Sequence, residues 1–572
     1  MDEKMRAQAW LEDPGIDEAT KEEIRGMSAE TLQDSFYRDL EFGTAGMRGV
    51  LGAGTNRMNL YTVRRATAGL AAFLKQQGGA ACQSGVAIAH DSRHGSHLFA
   101  CEVAGVLAAA GVRAYLYESL RPVPMLSFAV RELHCAAGVM ITASHNPKAY
   151  NGYKVFGPTG GQLEPEDAAL VTAEIDKVTR LGAVASMSAE DAEKAGLLTW
   201  LGRDMDEAYY AKIRTVSLRP EVFGRVDGDF RIVYTPLHGA GAKPVQHMFR
   251  ELGVPGVVVV KEQEAPDPDF STVRSPNPEE HDALQIAMAT ADWEHADLCI
   301  GTDPDCDRVG LAVRRKDGSW QLLTGNQTGC ILLHYVLDAR RQTGRLPENG
   351  AVIRSIVSTP MADAIAADFG VKLIEVLTGF KYFAGKIAEF EETGAHTYLF
   401  GFEESFGYLA GTFVRDKDGV QASVLAAEAA AYYRLQGKTL LDALEELYRR
   451  YGYYYEETAN FVFTGMAGME KMQALMEQLR QHPVTEFGGS AVVETRDYLS
   501  GIAKAGQKES KMDFPSSNVL IYWNAKGQRF AIRPSGTEPK IKIYLAVCGK
   551  DPENAQKAGK DLMEEIVSRY FR

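Results

Sequence analysis

The sequence predicts an α/β chain: three successive strand–helix blocks, followed by an α+β tail. Three observations predict it. From residue 85 onwards, short continuous apolar runs alternate with helical patterns, and strands buried on both faces of a parallel sheet read as continuous runs. In each of three successive stretches such runs end in glycine-rich polar loops. After residue 465 the order changes to helix, hairpin, strand and closing helix, without a clear parallel crossover. At 572 residues the chain exceeds what one hydrophobic core organises, so three or four domains are expected.

The elements follow in order. The charged start MDEKMRAQAWLEDPG opens a set of N-terminal helices and lacks an apolar h-region, so no signal peptide is expected. The first block has strands at 85–89, 112–117 and 138–141 and a helix at 98–110, at βαβ spacing. The second has strands at 231–234, ending in TPLHGAG, at 257–260, and at 298–300, ending in GTDPDCDR. The third has strands at 351–357, ending in STP, at 371–376 before LTGFKYF, and at 397–399 before FGFEESFGY. Ligand groups commonly gather at the carboxyl ends of such strands. In the tail, a helix over 465–481 turns Met469, Met472, Leu475, Met476 and Leu479 to one face. Strands at 519–523 and 528–532 form a hairpin about Asn524 and Gly527. A strand at 541–547 and a helix at 552–570 close the chain.

Composition narrows the function classes. Hydrophobic residues make up 45% and charged residues 24%, as in an ordinary soluble protein. The net charge of -14 argues against a nucleic-acid partner, which would need a basic footprint, while leaving room for a local phosphate pocket. Seven scattered cysteines without a CxxC pair fit reduced thiols. No stretch has the length and continuity of a transmembrane helix. A cytoplasmic protein without a membrane partner is expected.

Four constellations carry chemistry. In VMITASHNPKAYNGYKVFG an apolar strand stops at Ser144, His145 and Asn146, with Lys154 ten residues beyond the serine. Ser144 reads either as a turn or cap hydroxyl or as a nucleophilic, phosphate-carrying one. A Ser-His-Asp hydrolase competes, but neighbouring residues rarely set an imidazole squarely on the hydroxyl, and no GxSxG elbow surrounds Ser144. Lys154 either covers a surface strand or neutralises phosphate and carries a proton. Asp303, Asp305 and Asp307 alternate after a strand; either this is an acidic surface turn or hard oxygen ligands converge on Mg²⁺. Arg308 then steadies a phosphoryl oxygen or pairs with one of the aspartates. Glu403 and Ser405 in FEESFG suit sugar hydroxyls or, alternatively, a helix N-terminus. In RPSGTEPK, Arg533 and the hydroxyls of Ser535 and Thr537 around Gly536 suit a terminal phosphate or a plain turn. Arg48 in GTAGMRG and Arg93 in HDSR are, taken singly, surface residues more often than site residues, and Glu279-Glu280 reads as solvated surface.

TASHNP, the alternating-Asp loop ending in Arg, EES and RPSGTEP, in that order, resemble the α-D-phosphohexomutase superfamily. The forms GTAGMRG and GFEESFGY resemble its phosphoglucomutase/phosphomannomutase branch, and the resemblance covers nearly the whole chain. It implies four domains around a central cleft: 1–205 with a phosphoserine loop, 206–322 with the metal loop, 323–455 with sugar recognition, and 456–572 as a TATA-binding-protein-like domain with a phosphate loop. It implies that Ser144 carries the phosphoryl group and joins Asp303, Asp305 and Asp307 around Mg²⁺. It places Arg48, Lys154 and Arg308 at the reaction centre. Glu403 and Ser405 match the sugar-recognition pair, Arg533, Ser535, Gly536 and Thr537 the loop on the non-reacting phosphate. Thr378, Gly379 and Lys381 match a variable loop that helps bind phosphate. Pro304 and Cys306 depart from the family's glycines; a stiffer loop with the same ligation, and a Cys306 pointing away from the metal, is expected. The implied activity is interconversion of α-D-glucose 1-phosphate and glucose 6-phosphate, through a phosphoserine enzyme and glucose 1,6-bisphosphate, by a monomer or weak homodimer. Phosphomannomutase, phosphopentomutase, a phosphatase or bisphosphate synthase, and a non-catalytic sugar-phosphate-binding protein are the alternatives.

Overall fold

The computed structural model describes residues 2–43, 46–463, 466–534 and 540–571. The chain forms two compact units, Met1–Gly350 with Phe380–Leu440, and Ala351–Gly379 with Leu441–Arg572.

The first unit opens with helices Glu3–Glu12, Glu18–Arg25 and Ala29–Phe36. Asp2, Asp17 and Ser28 cap them, each accepting from a backbone amide of the first turn. Their core sets Trp10 edge-on to Phe36 and to Tyr61 at 5.6 and 5.5 Å. A six-stranded sheet follows in the order Met47–Val50, Tyr150–Phe156, Ala137–Ile141, Val86–His90, Ala114–Tyr117, Leu198–Leu201. Every residue of Val86–His90 and Ala137–Ile141 is buried, which is why these strands read as unbroken apolar runs. A five-stranded sheet comes next, in the order Trp320–Leu322, Val309–Arg314, Leu298–Thr302, Ile232–Thr235, Val257–Val259. Its unit also contains the antiparallel pair Thr397–Glu403 and Gly407–Leu409, and the helix Gly419–Arg434, buried over almost its whole length.

The expected strands are present, but three of them, one in each block, are followed by an antiparallel partner the periodicity does not reveal. Tyr150–Phe156 returns antiparallel on Ala137–Ile141, with Lys154 opposite Met140. Val309–Arg314 returns on Leu298–Thr302, with Val309 opposite Thr302. Gly407–Leu409 returns on Thr397–Glu403, with Gly407 opposite Glu403. The serine, aspartate and glutamate loops are therefore the connections of three antiparallel pairs. A hairpin turn brings the chain back beside the strand it has just left, so side chains of the loop and of the return strand meet.

In the second unit, strands Gly350–Ser355 and Lys372–Val376 pair in parallel from Ala351 onwards. The tail forms an antiparallel sheet in the order Tyr453–Val462, Lys540–Gly549, Arg529–Pro534, Leu520–Asn524, Ser490–Asp497, Ile502–Ala505, Lys508–Lys511, with Glu486–Phe487 pairing on Ser490–Asp497. Helices Met466–Gln481 and Pro552–Tyr570 pack on it through Met472, Met476, Leu562 and Ile566 against Phe530, Ile532 and Ile543. The expected hairpin about Asn524 and the closing helix are found; the strands at 453–462 and 490–511 were not foreseen.

Candidate active site

Three loops of the first unit converge. Ser144 lies one loop beyond Ala137–Ile141 and is itself buried, with φ +52°. Left-handed backbone is costly for a residue with a Cβ, and persists where the surroundings over-determine it. Its hydroxyl donates to Asp303 Oδ2 at 2.8 Å. His145 Nδ1 lies 3.1 Å from Ser144 Oγ, closer than adjacency alone suggests. The serine hydroxyl is engaged by the carboxylate directly, whereas in a hydrolase triad the carboxylate orients the imidazole that faces the serine. Burial, with Arg308 and Arg48 nearby, pushes the His145 pKa well below its ordinary value and keeps the ring neutral.

Asp303, Asp305 and Asp307 are all buried, and each offers an oxygen within 4.8 Å of the others. The loop is clamped at its carbonyls: Ala240 N donates to Pro304 O, Val123 N to Asp305 O and Gly419 N to Cys306 O, at 2.8, 3.0 and 2.9 Å. Val123 and Gly419 are the first residues of helices, so two amides that no helical turn can satisfy are used here. Asp303 Oδ1 accepts the amides of Asp307 and Arg308 at 3.1 and 3.0 Å. Cys306 adopts φ +50° and is buried, with its sulfur close to Gly241 and Gly419.

Cations surround the trio. Lys154 is buried and donates to Asp305 Oδ2 at 2.8 Å, so it does not cover a surface strand. Lys417 Nζ lies 3.2 Å from Asp307 Oδ2 and 2.9 Å from Asp416 Oδ1. Arg308 pairs with Glu279, so that carboxylate is not the solvated surface group the sequence suggests. Five carboxylates thus meet three cations. Burial and the charges of Asp305 and Asp307 push Asp303 well above the usual carboxylate range. Burial works the same way on Asp305, but Lys154 and the bond with Asp303 hold it below its ordinary value. Asp305 Oδ1 and Asp307 Oδ1 are buried and accept no hydrogen bond. Unsatisfied, convergent, anionic oxygens with surplus negative charge are what a hard divalent cation takes as ligands, so the donor set fits one.

Of the other expected residues, Arg48 donates to Asn146 Oδ1 at 3.2 Å in the serine loop. Glu403 is buried, and its charge helps push the Lys417 pKa up. Ser405 is half-buried beside it in the chain, before Phe406 at φ +64°. Lys381 is half-buried over the Tyr382 ring; burial lowers its pKa against the pull of Glu164. Thr378, Gly379 and Arg533 belong to the other compact unit, with Gly379 at φ +119°. Ser535, Gly536 and Thr537 lie outside the described residues. Sequence reasoning missed Lys417 and Asp416. The available signal was the alternation Asp416-Lys417-Asp418 before a glycine and an alanine-rich helix, where Asp418 caps Val420 and Gln421.

Family profiles for phosphoglucomutase/phosphomannomutase α/β/α domains I, II and III match residues 39–181, 207–318 and 324–451. The chain belongs to the phosphoglucomutase/phosphomannomutase family. The phosphoglucomutase of Staphylococcus haemolyticus (strain JCSC1435) is 36% identical over 537 residues, 93% of this chain and 94% of that protein. That of Staphylococcus aureus (strain USA300) is 36% identical over 558 residues, 97% and 98% of the two chains. Solved structures share the fold: parafusin, a phosphoglucomutase of Paramecium in its open form, has a TM-score of 0.68 at 18% identity, covering 93% of this chain and 95% of that one. A phosphoglucomutase/phosphomannomutase family protein of Burkholderia thailandensis has a TM-score of 0.62 at 18% identity, covering 92% and 96%. Membership of this family makes the chain a phosphohexomutase-type isomerase of sugar phosphates, built from four successive domains, with an acidic cluster able to coordinate a divalent metal. Among the described residues, no helix is long and apolar enough to cross a membrane.

Proposed function

We propose that the chain interconverts α-D-glucose 1-phosphate and glucose 6-phosphate, with Ser144 as the phosphoryl carrier and glucose 1,6-bisphosphate as intermediate and activator. The observation that carries the reading is the left-handed, buried Ser144 whose Oγ sits 2.8 Å from Asp303 in a three-carboxylate cluster. The staphylococcal relatives that match nearly end to end are phosphoglucomutases, which supports glucose as the sugar.

Asp303, Asp305 and Asp307, with phosphorylated Ser144, would hold Mg²⁺. When bound, the ion neutralises phosphoryl oxygens and stabilises charge in transit. Lys154 and Arg308 add cationic charge around the same group, and Lys154 also carries a movable proton. Arg48, through Asn146, faces the serine loop. Glu403 and Ser405 orient the sugar hydroxyls. Arg533 with Ser535, Gly536 and Thr537, aided by Thr378, Gly379 and Lys381, grips the phosphate that is not reacting. In this reading the four domains divide at 205/206, 322/323 and 455/456, the last being TATA-binding-protein-like, and the protein works in the cytoplasm as a monomer or weak homodimer.

The test compares kcat/KM for glucose 1-phosphate, mannose 1-phosphate and ribose 1-phosphate, each with its matching bisphosphate. Preference for glucose is expected. Preference for mannose or ribose would replace the sugar and keep the transfer chemistry; glucose and mannose are epimers, and one well-placed hydrogen bond decides between them.

A further inference from the structure

Arg93, the second residue after Asp91 in HDSR, has a fully enclosed side chain rather than a surface one. Its guanidinium donates to four carbonyl oxygens of a single loop: Ser144, Asn146, Pro147 at 2.9 Å and Tyr150 at 3.1 Å. It also lies 3.2 Å from Asp91 and 4.9 Å over the ring of Phe270. Asp91 completes the frame. Its carboxylate accepts from Thr142 Oγ1 and Ser96 Oγ, both at 2.7 Å, and from the Arg93 amide at 2.9 Å. Thr142 Oγ1 in turn accepts from the Ser144 amide at 2.8 Å. Phe270 belongs to a loop that also reaches the serine loop through Asp269, which accepts from Lys148 at 3.1 Å, and through Ser275, which donates to His145 O at 3.2 Å.

The Arg93 bonds to the four carbonyls, the Thr142 bonds, and those of Lys148 and the His145 carbonyl all fall within residues 142–150, around Ser144, and Asp91 and Phe270 hold the Arg93 side chain in place. A planar fork with five donors can hold several carbonyls in fixed relation, which an ammonium on a flexible stem cannot. The strained φ of Ser144 needs such a frame, because relaxation to ordinary backbone swings Oγ away from Asp303. We infer that Arg93 is a positioning residue for phosphoryl transfer: together with Phe270 it locks Ser144 in the left-handed conformation that aims its oxygen at the carboxylate cluster. This rests on Ser144 being the phosphoryl carrier.

The test uses the full chain and the variants Arg93→Lys, Phe270→Leu and Ser144→Ala. It measures kcat and KM for glucose 1-phosphate, the rate of Ser144 phosphorylation by glucose 1,6-bisphosphate, and thermal unfolding. Arg93→Lys is expected to slow both kcat and Ser144 phosphorylation by about 100-fold, the scale of a misplacement near 1 Å, with KM within about threefold. Phe270→Leu keeps the hydrogen bonds and should slow both by about fivefold at unchanged KM, so it decides the matter if Arg93→Lys does not fold. A purely structural role would lower the unfolding temperature and leave kcat of the folded fraction at the parental value; that result, or a change confined to KM, overturns the inference. If Ser144→Ala is inactive while Arg93→Lys keeps parental kcat, only the positioning inference falls. If Ser144→Ala is active, the carrier reading falls and the inference with it.

Discussion

Replacing Gly419 by alanine should damage turnover far more than stability. Gly419 is the first residue of the helix Gly419–Arg434, and its amide donates to Cys306 O at 2.9 Å in the middle of the aspartate loop. A Cβ built there meets Cys306 O at 2.6 Å, its Sγ at 2.9 Å and its carbonyl carbon at 3.1 Å. Ordinary contact begins at 3.4 Å, so the carbonyl must retreat by about 0.8 Å, the difference between 3.4 and 2.6. Overpacking of this kind costs about 1–3 kcal/mol, while alanine in place of glycine returns up to about 1 kcal/mol of helix propensity. The net loss of stability is therefore about 0–3 kcal/mol. The displaced carbonyl lies between Asp305 and Asp307, and a shift approaching 1 Å at a reacting centre costs about 100-fold in rate. Steady-state turnover against Mg²⁺ concentration, with urea unfolding as control, reads both effects. The expectation is a 10- to 100-fold fall in kcat, by the same scaling, and a raised metal midpoint. A variant with parental kcat and parental metal midpoint would refute the claim that the Gly419 clamp sets the aspartate geometry.

Three further outcomes are expected. Lys417→Met removes the ammonium shared by Asp307 and Asp416; stranding buried carboxylates costs about 3–5 kcal/mol, and a urea unfolding free energy within 1 kcal/mol of the parent would contradict the pairing. Asp305→Asn removes an anionic oxygen and the partner of Lys154, so metal midpoint and kcat should worsen together in a metal titration of turnover; movement of neither would exclude Asp305 as a ligand. Asp17 has its pKa lowered from 3.8 to about 2, foremost by the Tyr61 hydroxyl, so its share of stability is present above 3.8 and lost as pH falls through about 2. Asp17→Asn should lose stability less steeply over that window in an acid titration followed by circular dichroism, and an unchanged slope would argue against the bond.

Much of the fold is legible in the chain. Strands such as Ala137–Ile141 and Leu298–Thr302 are buried on both faces and write themselves as apolar runs, and the helix Pro552–Tyr570 follows a capping aspartate and a proline. The aspartate triplet and the serine loop were legible for a related reason. Local spacing brings alternate side chains together, and no apolar pattern accounts for so many polar groups at a strand end. The return strands were not legible. Tyr150–Phe156 contains Asn151, Gly152 and Lys154, which look like loop residues until they are seen to be buried by neighbours from elsewhere in the chain.

Charge partnership was decided by the tertiary structure. Glu279 and Arg93 read as surface because sequence shows what a side chain is and not what faces it. Only folding sets Glu279 against Arg308 across 29 residues and Arg93 against carbonyls more than 50 residues away. The chain by itself determined where hydroxyl and carboxylate groups gather at strand ends, the three aspartates able to coordinate a divalent metal among them, because that clustering needs specific atoms at short range. Which conformation Ser144 holds, which aspartate has its pKa raised and which lysine lies against the cluster depend on burial and on fields from remote residues, and these exist only once the strands have packed.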